Sequence, residues 1–167
     1  MIKTDRFVLD ILSDKYLDNV YNMLSDEEVT MYLNMNKHTD INDTKKLFLD
    51  YFNDKDKYPF VILDNDNFVG VFLIKLDLFD EDCFEFTIYI DKSYWNKGVY
   101  TEVLPYMTDY AFKEIGTGNF RGFVMENNIA SRKVLEKCNF TLEKIFKVDG
   151  IEGNIYSYLI TKEDYLK

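Results

Sequence analysis

Apolar residues along this chain recur in two rhythms, a strand-like alternation and a helical period, and the two take turns from end to end. A strand is predicted over 7–11. A helix follows over about 14–24, where Tyr16, Leu17, Val20, Tyr21 and Leu24 share one face. A second helix over about 40–53 carries Leu47, Phe48, Tyr51 and Phe52 as its apolar stripe. Strands come next over 59–63 and 68–78, joined by the turn Asp64-Asn65-Asp66-Asn67. Over 84–90 the alternation sets Phe84, Phe86, Ile88 and Ile90 against Glu85, Thr87 and Tyr89.

The second half repeats the interplay with a helix over 99–115, a strand over 120–125, a helix over 129–137 and closing strands over 142–148 and 155–160. Pro105 lies inside the first of these helices and cannot donate a ladder hydrogen bond, so a kink or a bent first turn is expected there. This order suits the α/β class, with a mixed sheet and helices on both faces. No repeat, low-complexity stretch or linker interrupts it, and 167 residues fit one domain, 1–167.

Composition narrows the function. Hydrophobic residues make up 47% of the chain and aromatics 17%, enough for a substantial core. No run approaches the roughly 20 apolar residues of a membrane span, and the first residues lack a signal-peptide core, so cytoplasmic residence without membrane association is the expectation. Cys83 and Cys138 form no metal-ligand spacing and are expected to be free, buried thiols. His38 is the only histidine, which argues against Ser-His-Asp chemistry and histidine-rich metal sites; no metal is expected.

The net charge of −10 is uneven: residues 1–93 carry 20 Asp and Glu against 10 Lys and Arg, and residues 94–167 carry 10 against 10. So acidic a chain makes a poor nucleic-acid binder. Its acidic part reads either as a surface for a cationic partner or as a solubilising surface.

Two segments carry candidate chemistry. The stretch from Asp91 to Glu102 reads as a strand end, a turn around Gly98 and a helix start, which directs backbone N–H groups and a positive helix end at one spot, as a phosphate requires. An ordinary strand-to-helix turn would read the same. About thirty residues on, Glu126 to Phe140 repeats the pattern, and two such segments suit a large phosphorylated cofactor.

In order and spacing, Glu85 to Ile90 followed by Tyr94-Trp95-Asn96-Lys97-Gly98 and Thr101-Glu102, then Asn128-x-x-Ser131 with Val134-Leu135-Glu136-Lys137 and Phe140, resemble the GNAT superfamily of acetyl-CoA-dependent N-acetyltransferases, in its RimJ/RimL-like branch. The resemblance runs nearly end to end. It implies a central, mixed, mostly antiparallel twisted sheet of about seven strands. It also implies acetyl-CoA as co-substrate, bound through Ile90, Asn96, Lys97, Gly98, Val99, Tyr100, Thr101, Asn128, Ser131 and Lys137. Tyr100 stands where a small residue is usual, and Thr87 and Asn139 each replace a usual glycine; asparagine tolerates the left-handed conformation a glycine there would supply.

The candidate catalytic residues are Glu85 and Ser131. A protonated amine is not nucleophilic, and Glu85, where the family usually has a glutamate, is the candidate base; the alternative is a glutamate that merely pairs with a cation. By resemblance Asn128 meets the pantetheine arm and Ser131 lies near the thioester sulfur, while both also suit the capping of a helix start. Leu135 stands where other members have an acidic tyrosine. Lys97, Arg132, Lys133 and Lys137 are either solvated charges or contacts to the adenosine phosphate, Trp95 is expected in the core, and Tyr32 is a candidate for the acceptor cleft. Three readings follow: an N-acetyltransferase acting by direct attack in a ternary complex on a protein N-terminus, a polyamine or another small cationic amine; an acyl-CoA-binding protein without turnover; or a non-catalytic interaction domain. A homodimer is left open.

Overall fold

Eight strands and six α-helices alternate in a computed structural model that describes residues 1–33 and 35–167. The chain gathers into two compact units, Met1–Lys75 with Ile88–Val99 and Leu76–Thr87 with Tyr100–Lys167.

The first unit holds β1 (Ile2–Lys3), β2 (Val8–Ile11), a 3-10 turn (Asp14–Tyr16), α1 (Leu17–Leu24), α2 (Glu27–Thr30), α3 (Ile41–Phe52), β3 (Lys57–Asp64), nearly all of β4 (Asn67–Leu76) and the end of β5 (Cys83–Ile90). Strands β1 to β4 form an antiparallel meander. The β3–β4 hairpin turns through Asn65 (φ 47°) and Asp66 (φ 67°), two left-handed residues of the types that tolerate it. Asp40 caps α3 in a capping box with Asp43. Of the expected apolar faces, Val20 and Leu24 of α1 and Phe48 and Tyr51 of α3 join Val61, Leu63, Val71 and Leu73 of the sheet, with Tyr16, Leu17 and Leu47 packed against them; Met23 belongs to this core although the sequence did not mark it, and Phe52 is exposed. Each buried side chain of this core contributes about 1.5–3 kcal/mol on burial.

The second unit contains the start of β5, α4 (Val99–Tyr110) from Tyr100 onward, β6 (Asn119–Met125), α5 (Ile129–Lys137), β7 (Thr141–Phe146), β8 (Ile155–Thr161) and α6 (Lys162–Tyr165). Strand β5 runs parallel to β6, which requires a crossover and receives one in α4. Strands β6 and β7 both pair antiparallel with β8. Phe86, Phe120 and Phe140 form its aromatic centre, with Phe86 4.7 Å from Phe120 and 5.7 Å from Phe140 between ring centroids. Arg121 is buried between carboxylates: it bonds Asp77, and its Nε and Nη2 donate to Glu143 at 3.1 and 3.0 Å. Burial works against ionisation of Glu143, but donors from Ser157 and Arg121 outweigh it and hold the carboxyl below its ordinary range.

The whole strand order is β1-β2-β3-β4-β5-β6-β8-β7, a mixed α/β sheet of eight strands. The strand added to the expected seven is β1, with two residues too short to show a period. Strand β4 ends at Leu76 rather than 78, because Asp77 turns the chain by accepting the Phe79 N–H at 2.8 Å and binding Arg121. Helix α4 continues through Pro105 and widens later into a π-helical turn, Ala111–Ile115. Cys83 is buried, as expected, and its thiol is pushed up to about 12 by burial; Cys138 is half-buried.

Candidate active site

The turn after β5 is built by local contacts. Asp91 accepts the Ser93 N–H at 2.9 Å and the Ser93 hydroxyl at 2.6 Å, closing a 3-10 turn over Lys92–Tyr94. Trp95 packs on the first unit's core, and its indole N–H donates to the Ile90 carbonyl at 2.9 Å. That bond occupies one lone pair of Ile90 and gives Trp95 the structural role expected of it. Opposite this strand end, a Cβ on Gly70 would fall 2.1 Å from the Tyr89 carbonyl, so glycine is what lets β4 approach here.

Beyond Trp95 the backbone turns left-handed at Asn96 (φ 58°) and again at Gly98 (φ 78°) before α4 begins at Val99. Among the described residues, the N–H groups of Asn96, Lys97 and Gly98 have no acceptor. All three residues are exposed, and a Cβ on Gly98 would meet nothing within 4 Å. Free donors, an open approach and a following helix start form the surroundings a phosphate group fits. The Lys97 ammonium lies 5.1 Å from the Tyr94 ring centroid. Burial, with the Cys138 thiol adding to it, pushes the Tyr100 phenol far up.

In the second segment, Asn128 caps α5: its Oδ1 accepts the Ser131 N–H at 3.1 Å. The Ser131 hydroxyl makes no hydrogen bond to another described residue. Leu135 is fully buried, and its aliphatic side chain carries no proton to transfer. Asn139 is left-handed (φ 66°), as its replacement of a glycine requires. Arg132 is tied down, stacked 3.9 Å from the Tyr156 ring centroid with its Nε donating to Tyr158 Oη at 3.3 Å, which gives it a structural post. Lys133 and Lys137 are exposed.

Thr101 and Lys137, both expected at the cofactor, line one cavity of about 410 Å³ together with Pro105, Cys138, Asn139 and Tyr165. Pro105 explains one polar group there. Lacking an N–H, it leaves the Thr101 carbonyl without its helical donor, and the Cys138 thiol stands 4.0 Å away. Cys138 and Tyr165 gave no signal in the sequence, since their place depends on how α5 and α6 end.

Glu85 is half-buried on β5 and aligned with Arg121 across the parallel pair. Arg121 is already bonded to Asp77 and Glu143. In the first unit, Lys92 pairs with Glu28 and stands 4.0 Å from Asp26; the hydrogen bond it donates to Glu28 leads the effects that raise its pKa. Tyr32 is half-buried. No helix among the described residues is long and apolar enough to cross a membrane, and no three His, Cys, Asp or Glu side chains among them converge as metal ligands would.

Comparison with known proteins gives one consistent result. Residues 6–141 match a family model described as an acetyltransferase (GNAT) domain. The uncharacterized N-acetyltransferase YnaD of Bacillus subtilis is 25% identical over 168 residues, covering 98% of each chain. A spermidine N-acetyltransferase from Vibrio cholerae, solved with CoA and spermine, shares the fold at a TM-score of 0.86 and 19% identity, over 97% of this chain and 99% of that one. A GNAT-family acetyltransferase from Bacillus anthracis does so at 0.84 and 23%, over 97% and 98%. At these identities the two structures speak for the fold.

Proposed function

The chain belongs to the GNAT acetyltransferase family and is an acyltransferase of that type, and from that premise we propose that it transfers the acetyl group of acetyl-CoA to a cationic primary amine, by direct attack in a ternary complex. The observation that carries the donor half is the turn 96–98, with three N–H groups that have no acceptor among the described residues, leading into α4. The amides of Asn96, Lys97, Gly98, Val99 and Tyr100 hold the pyrophosphate. By resemblance, Ile90, Thr101, Asn128 and Lys137 are further residues of the acyl-donor site, Asn128 toward the pantetheine arm.

Acetyl-CoA supplies a thioester when bound. Glu85, directly or through one water, accepts the proton that the incoming ammonium must lose to become nucleophilic. As the C–N bond forms and the C–S bond breaks, the Ser131 hydroxyl, by resemblance near the thioester sulfur, is the proposed donor to the departing thiolate. A thiol of pKa about 8.5 needs little such help, so Ser131 contributes less than Glu85.

The acceptor is assigned by charge. The whole negative excess lies in residues 1–93, the part that by resemblance meets the acceptor. It attracts a protonated amine and repels CoA. A polyamine is the favoured member of this class, supported by the fold shared with an enzyme solved with spermine. A basic protein N-terminus, which the resemblance to the RimJ/RimL-like branch implies, is the second member. The test is a thermal shift with acetyl-CoA, followed by thiol release with amines. Stabilisation and release support the proposal; stabilisation without release across all amines reduces it to acyl-CoA binding, and neither overturns it.

A further inference from the structure

Arg6 lies far from the turn 96–98 in sequence and meets it in space. Its Nη1 donates to the Lys97 carbonyl at 3.0 Å. The guanidinium is itself held: its carbon lies 4.6 Å from the centroid of the Phe7 ring, and Nη2 is 3.9 Å from the Asp64 carboxylate. Phe7 is fully buried, and Thr4 fastens the backbone around it, its Oγ1 accepting the Phe7 N–H at 2.9 Å. Arg6 is therefore an anchored donor.

The bond it makes matters because of which peptide it holds. A trans peptide is planar, so its carbonyl and its N–H point in opposite directions. Fixing the Lys97 oxygen on Arg6 turns the Gly98 N–H to the far side. The chain on its C-terminal side would not fix it alone: Gly98 is left-handed, and glycine resists rotation of the adjoining peptide least of all residues. A rotated peptide would present the Lys97 oxygen, an acceptor, where the Gly98 donor now stands. An anion would meet repulsion in place of a hydrogen bond.

We infer that Arg6 is a positioning residue for the phosphate-binding turn, holding the Lys97–Gly98 peptide with its N–H available to the pyrophosphate of the acyl donor. The inference rests on the proposed reading of that turn. Arg6 acts through the Lys97 carbonyl and so governs donor affinity, leaving the chemical step and the amine untouched.

The test is calorimetry with CoA and with 3′-dephospho-CoA, which keeps the pyrophosphate, on wild type, Arg6→Ala and Arg6→Gln. In Arg6→Ala both ligands are expected to weaken equally, by roughly tenfold, the scale of one lost hydrogen bond. KM for acetyl-CoA rises alike, while kcat and the amine KM hold. Arg6→Gln keeps a donor for the carbonyl without the charge and is expected to bind within about threefold of wild type, the rescue that positioning requires. Unchanged affinity in Arg6→Ala overturns the inference, and so does a loss confined to CoA, which would mean direct contact with the 3′-phosphate. An Arg6→Gln protein as weak as Arg6→Ala overturns it too, since charge would then be the agent. If Arg6→Ala does not fold, Arg6→Gln decides alone by the same threefold mark. Failure of wild type to bind either ligand overturns the reading of the turn instead, so the two failures are told apart.

Discussion

Asn128 and Ser131 divide their labour: the asparagine Oδ1 accepts the serine N–H at 3.1 Å, and the serine hydroxyl stays out of the cap. Capping thus belongs to Asn128. Removing it with Asn128→Ala is expected to cost about 0.5–2 kcal/mol in urea unfolding, and Asn128→Asp, itself a good cap, is expected to restore most of that. Ser131→Ala is expected to leave stability within about 0.5 kcal/mol while lowering kcat. A Ser131→Ala protein with full kcat at every pH would remove Ser131 from the transfer step.

At Gly98 backbone conformation and anion approach are separable. A Cβ there meets no protein atom, yet φ of 78° penalises any side chain but asparagine or aspartate. Gly98→Ala is expected to lose about 1–2 kcal/mol of stability. Gly98→Asn keeps the conformation and fills the open side. Both, and Gly98→Val more so, are expected to bind CoA less tightly in calorimetry. A folded Gly98→Val protein of unchanged affinity would move the phosphate site elsewhere.

Much of the framework was legible because its signals are local. The stripes of α1 and α3, the alternation in β5, the hairpin at Asn65 and Asp66 and the cap at Asn128 are each settled within a few residues of chain. Helices α2 and α6, with four residues each, and the two-residue β1 are too short to show a period. The rest was hidden by distance along the chain. Arg6 meets Lys97, Arg132 stacks on Tyr156, and Arg121 joins Asp77 to Glu143 only once the sheet has formed. A cation's role as a solvated charge or a structural post therefore could not be decided from its neighbours in sequence.

Glu85→Gln is expected to keep CoA affinity and to slow transfer by about 10²–10⁴ at low pH. The deficit should shrink as pH rises, because more of the amine is then already neutral. A pH–rate profile at saturating acetyl-CoA is the measurement; a variant that matches wild type throughout assigns the proton to water or to another residue.

His38 gives stability a pH dependence of known sign. It is buried, its Nδ1 pairs with Thr44 Oγ1 at 2.8 Å, and burial lowers its pKa below 6.5, with Asp43 opposing only in part. Between the lowered folded value and 6.5 the unfolded chain binds more protons, so the stabilisation is complete above about pH 6.5 and declines as pH falls below it. His38→Gln, which cannot titrate, is expected to show a flatter melting temperature between about pH 7 and 5. Parallel curves for the two proteins would remove His38 as a source.

The central claim is a cationic amine acceptor on a CoA-dependent acetyltransferase. Steady-state release of free CoA, at saturating acetyl-CoA, is measured across polyamines, a basic peptide, neutral amines and acidic amines, at low salt and at about 0.15 M, where the Debye length is about 8 Å. Turnover is expected with the cationic amines, led by polyamines, together with an acceptor KM that rises with salt. Neutral and acidic amines used equally well, with an acceptor KM indifferent to salt, would contradict it.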